Sequence, residues 1–83
     1  MSETEILVDE FDRKFREAHA RRDFSVAGEY HSAISYLTLA TELDHDPVRY
    51  FRVLSTDPAK SRTKQEVWLD CVKVVEATRA NVK

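Results

Sequence analysis

Eighty-three residues, 42% hydrophobic and 34% charged, are enough for one hydrophobic core and too few for two, so the chain reads as a single helical domain spanning 1–83. One glycine and two prolines leave little of the turn chemistry that a many-stranded sheet or a disordered linker needs, and a formal charge of −2 gives no overall pull toward nucleic acid. The lone Cys71 excludes an internal disulfide and suits a reducing, cytoplasmic setting; with an acidic start and no apolar run near the roughly 20 residues of a membrane span, neither export nor membrane insertion is expected.

Ser2 stands three residues before Glu5, the spacing of a capping box, which starts a first helix almost at the N-terminus. Leu7, Val8, Phe11, Phe15 and Ala18 then form one apolar stripe. On the other side Asp9 with Arg13, Glu10 with Lys14, Asp12 with Arg16 and Glu17 with Arg21 place acid before base at i,i+4, a local explanation for the charge run. Asp23 caps a second helix over Phe24 to Leu43, whose apolar positions cover more than half of a helical wheel, as a central helix requires. The run Asp44-His45-Asp46-Pro47 ends it, because the residue before proline avoids the α conformation.

Pro47 opens a short third helix through Tyr50, Phe51, Val53 and Leu54. The last helix has two candidate starts, Asp57-Pro58 and the Thr63/Glu66 capping-box spacing. It carries Val67, Trp68, Cys71, Val72, Val74 and Val75 on one broad face, and its polar end, ATRANVK, predicts fraying. The expected fold class is all-α: a small bundle of three long helices plus one short helix, beginning with an antiparallel helical hairpin. Phe11, Phe15, Tyr30, Ile34, Leu37, Trp68, Val72 and Val75 are expected in one core.

In its alanines spaced among aromatics and its terminal proline, the segment DFSVAGEYHSAISYLTLATELDHDP (23–47) resembles a tetratricopeptide-type helical hairpin. It lacks the Trp and Gly of that pattern's first helix and any second copy, so the resemblance implies helix packing and carries over no ligand site.

Chemistry-bearing clusters are sparse. His31 lies near Glu29, Ser32 and Ser35 in sequence, but proximity along a chain does not assemble a catalytic triad, and no catalytic residue is expected. Neither Asp44-His45-Asp46 nor the His19/Asp23 pair has a recognised metal spacing, so no metal or cofactor is expected. Lys60, Ser61, Arg62, Thr63 and Lys64 gather cations and hydroxyls near a helix start and form a candidate anion-binding loop without a glycine-rich cradle. Gly28, Ser32, Ser35 and Leu39 recur at helical spacing, and with Tyr36 and Leu43 form a candidate partner-binding surface if that side is open, or an internal packing face if it is not. The expected function is a non-catalytic protein–protein interaction module, a small regulator, adaptor or inhibitor acting on a protein partner or as a homodimer. The alternative is a small nucleic-acid-binding regulator using the basic 60–64 loop, disfavoured by the acidic balance.

Overall fold

The computed structural model describes residues 2–81 and consists of four helices: α1 (Glu3–Ala20), α2 (Phe24–Glu42), α3 (Pro47–Ser55) and α4 (Arg62–Asn81). Each begins on a side chain that accepts a backbone N–H left without an intrahelical partner. The Ser2 hydroxyl accepts from the Glu5 N–H at 3.2 Å, Asp23 Oδ1 from the Val26 N–H at 3.3 Å, and Asp46 Oδ1 from the Val48 N–H at 3.1 Å, with Pro47 in the first turn of α3. The start of α4 matches neither expected position. Ser61 caps it, accepting from the Lys64 N–H at 3.3 Å, while Asp57 builds a turn by accepting from the Ala59 N–H at 2.9 Å. The Gln65 side chain ties that turn to α4 by donating to the Asp57 carbonyl at 2.7 Å.

The C-terminal ends of α1 and α2 share one device. The Asp23 N–H donates to the Ala18 carbonyl at 2.9 Å and Arg22 to His19 at 3.0 Å; the His45 N–H donates to Ala40 at 2.8 Å and Asp44 to Thr41 at 3.3 Å. This is the Schellman pattern, which needs a left-handed residue where glycine is usual. Here Arg22 (φ 61°) and Asp44 (φ 55°) occupy it. The left-handed turn at Asp44 therefore stops α2, and the role of Pro47 is to open α3. A side chain in this region is strained by about 1–2 kcal/mol, so Arg22→Gly is expected to raise stability by about 0.5–1 kcal/mol after the flexibility glycine adds to the unfolded chain. Urea denaturation checks this; a lower midpoint for Arg22→Gly would remove the strain argument.

Contacts between helices set the topology. The Thr4 and Thr41 hydroxyls are 3.0 Å apart and the Phe15 and His31 rings 5.7 Å, so α1 and α2 form the antiparallel hairpin. Lys14 reaches Asp70 at 3.1 Å and Arg79 reaches Glu3 at 2.6 Å, which runs α4 antiparallel to α1. Lys64 at the start of α4 reaches Glu29 at 3.7 Å and Arg79 near its end reaches Asp46, just past α2, at 3.0 Å, so α4 lies parallel to α2, with Tyr30 donating to Asp70 at 2.7 Å between them. Arg79 with Asp46 before α3 and Gln65 with Asp57 after it lay α3 antiparallel on α4. The segment resembling a tetratricopeptide hairpin is one continuous helix to Glu42, so the likeness extends only to its alanine and aromatic spacing. The last helix reaches Asn81; of the expected fraying end, Val82 and Lys83 lie outside the described residues.

Leu7, Phe11, Leu37, Phe51, Trp68, Cys71, Val72 and Val75 are fully buried. Phe11 joins the layers, its ring 6.5 Å from Tyr30 and 5.9 Å from Phe51 in an edge-on contact. Two expected core residues, Phe15 and Ile34, are only partly buried and pack on the margin of the core, Phe15 beside an open hollow lined by Arg16, His19 and Ala20. Of the four expected i,i+4 pairs only Asp12 with Arg16 forms, at 2.9 Å. Arg13 instead bridges Glu10 and Glu17, and Lys14 turns to Asp70 of α4, a partner no local spacing announces.

Candidate functional site

The face of α2 away from the core is the feature that stands out. Between Phe24 and Thr41 the only residue with a formal charge is Glu29, in a protein with 34% charged residues. Glu29 does not face solvent: its side chain is 12% exposed, and it accepts a hydrogen bond from the Trp68 indole N–H. What remains outward is uncharged. Gly28 and Ser35 are exposed, Ser32 is half-buried, and Leu39 and Leu43 are 44% and 51% exposed, with Phe24 at 60%. Tyr36 flanks this strip and turns partly inward, stacked on Tyr50 at 6.1 Å.

Gly28 has no packing reason within the monomer. A Cβ built there meets nothing within 4 Å, and its φ is not positive, so neither a close approach nor a special backbone conformation calls for glycine. In a helix interior glycine costs about 1 kcal/mol relative to alanine. The face that sequence reading left open between internal packing and exposure is, at Gly28, Ser35, Leu39 and Leu43, a solvent face.

The 60–64 loop is arranged differently from a bare anion site. Lys60 Nζ lies 3.8 Å and Lys64 Nζ 3.7 Å from the Glu29 carboxylate, and Arg62 pairs with Glu66 at 3.3 Å. Ser61 is occupied as the α4 cap and Thr63 is exposed. Glu29 thus gathers the Trp68 indole and two lysines, a cluster joining α2 to the start of α4. The sequence names Glu29 only as a neighbour of His31 and does not announce this cluster; its isolation in an uncharged stretch is the one available signal.

The histidines lie on aromatic rings. His31 sits on Phe15, His19 lies 5.8 Å from Phe15 and 5.3 Å from Phe24, and His45 Nδ1 is 3.0 Å from the Tyr50 hydroxyl. Glu29 is turned away from His31 toward Trp68, so the sequence neighbours His31, Glu29, Ser32 and Ser35 do not converge. Asp44, His45 and Asp46 line an open cleft of about 450 Å³ with Arg49, Tyr50 and Val53. Among the described residues no group of three or more metal-capable side chains gathers, and no helix is long and apolar enough to cross a membrane.

Beside that cleft, hydrogen bonding to Arg79 holds the Asp46 carboxyl below its ordinary value of 3.8, and Asp46 and Glu3 together raise Arg79. A carboxyl whose folded value is depressed favours folding above its unfolded value, and that contribution is lost as pH falls through the folded value. Asp46→Asn retains a capping side chain and removes the charge. Wild type should therefore be the more stable at neutral pH, with the gap closing below pH 3.8, as urea titrations at several pH values measure. The pair is nearly half exposed, so the gap is small. A gap independent of pH would show that the ion pair contributes nothing.

Tyr30 is pushed well up by burial and by its bond to Asp70, so it remains a neutral donor. Comparison with protein-family models, with curated proteins and with solved structures finds no match to this chain.

Proposed function

We propose that the chain is a non-catalytic protein-interaction module whose binding surface is the outer face of α2, centred on Gly28, Ser32, Ser35, Leu39 and Leu43. One observation carries this reading: over Phe24 to Thr41 the single charged side chain is turned inward, leaving a solvent face of small and apolar residues on a highly charged protein. A solvated helix face is ordinarily charged, and uncharged, partly apolar strips are where partner helices seat. A regulator, adaptor or inhibitor that works by covering a partner needs no more chemistry than this. The alternative, phosphate contact through residues 60–64, has less support, since Lys60, Arg62 and Lys64 each already stand beside a carboxylate.

A photo-crosslinking amino acid placed singly at Ser35, Leu39, Asp9 or Lys73 in producing cells tests the surface. Protein adducts are expected from Ser35 and Leu39 and not from Asp9 or Lys73. Adding Ser35→Arg should abolish the Leu39 adduct with unchanged far-ultraviolet circular dichroism, because residue 35 is exposed. Equal adducts from all four positions, or none, would overturn the reading.

A further inference from the structure

We infer that the occupant of the outer α2 face is a second copy of this chain, docked antiparallel about a two-fold axis passing between Ser35 and Tyr36. The inference rests on the interaction-module reading and adds the partner and its register.

The first support is size. Small residues Gly28, Ser32 and Ser35 occupy the N-terminal half of the strip, and large residues Tyr36, Leu39 and Leu43 the C-terminal half. At 3.6 residues per turn all six fall on an arc of about 100°. A two-fold between Ser35 and Tyr36 sets Gly28 opposite Leu43 of the other copy, Ser32 opposite Leu39, and Ser35 opposite Tyr36. Every large side chain then meets a small one, as close helix packing requires, and the same patch serves both subunits. A parallel arrangement sets leucine on leucine and leaves the open space over Gly28 unfilled.

The second support is charge. Arg21 and Arg22 stand exposed at the N-terminal end of α2 beside one acid, the cap Asp23, which leaves that end net basic. Glu42 and Asp44 stand exposed at its C-terminal end, and none of the five has an ion pair among the described residues. Antiparallel docking lays the basic end of one copy over the acidic end of the other and opposes the helix dipoles favourably; parallel docking places like charges together. The strip between carries no outward charge to desolvate. A contact built on one helix of about 28 Å belongs to the small, weak interfaces, so association is expected at tens to hundreds of micromolar.

Sedimentation of the full chain from about 10 µM to about 1 mM at low salt should show a monomer–dimer equilibrium that weakens with added salt. Gly28→Leu adds a side chain into open space, so the monomer stays helical with an undiminished melting midpoint, while association weakens by at least about tenfold through the clash with Leu43. Combining Gly28→Leu with Leu43→Ala exchanges large and small across the axis and should restore association. Likewise Arg21→Glu with Arg22→Glu should weaken the dimer, and adding Glu42→Lys with Asp44→Lys should recover it. A wild type monomeric at about 1 mM, or a Gly28→Leu/Leu43→Ala chain as weak as Gly28→Leu alone, would overturn the inference. Adducts from Ser35 to a different protein, with a monomeric wild type, would overturn the second copy and leave the interaction surface standing.

Discussion

Replacing Phe11 with alanine is expected to leave much of the chain unfolded at 25 °C. Phe11 has no exposed surface and lies between Tyr30 and Phe51, so it is the one α1 side chain whose ring reaches both α2 and α3. Truncating a buried phenylalanine costs about 3–5 kcal/mol, lost transfer energy plus the cavity left behind. A core of this size supplies only about 3–5 kcal/mol in total. Phe15→Ala, one turn on, is expected to cost roughly 1–2 kcal/mol, because that ring is only partly buried and borders an open hollow with Arg16, His19 and Ala20. Urea denaturation followed by circular dichroism compares the two; equal costs would show that the bundle edge at Phe15 is as closely packed as the centre.

The second large effect belongs to Glu29. Trp68 is 1% exposed and its indole N–H finds its acceptor in that carboxylate. Glu29→Ala leaves a buried donor unpaired and two lysines without their counter-charge, at a cost of about 2 kcal/mol. Glu29→Gln keeps an acceptor oxygen and loses only the charge, so its cost should fall below about 1 kcal/mol, since the lysines remain near solvent. The ratio of the two, read from urea midpoints, separates the hydrogen bond from the ion pairs. Equal costs would assign the stabilisation to the lysines instead.

Features written in short spacings were legible in the sequence. Ser2, Asp23 and Asp46-Pro47 cap helices where side-chain chemistry predicts, and the four helices follow from the apolar periodicity. What escaped depends on competition between near-equal choices or on distant partners. The Asp57 turn occupies residues 57–60 and removes the Asp57-Pro58 start, and Ser61 rather than Thr63 caps α4 although no acid follows it three residues later. The helix ends at Arg22 and Asp44 carry no glycine to announce them. Lys14 and Glu29 are drawn to α4, one by Asp70 and the other by Trp68, across 56 and 39 sequence positions that no local pattern spans. The candidate surface was visible as a small-residue stripe, but whether it faced inward depended on how α3 and α4 were placed, and they cover the other side of α2.

Cys71 gives this bundle a built-in clock. It is the chain's one thiol, it has no exposed surface, and burial raises its pKa well beyond that of an ordinary thiol, so an added disulfide reagent meets neither an accessible sulfur nor a thiolate while the bundle remains closed over it. Reaction then waits on opening. With reagent in excess, the labelling rate tracks how often the helices part rather than the chemistry of sulfur, and its dependence on denaturant separates a local loosening of α4 from the loss of the whole fold.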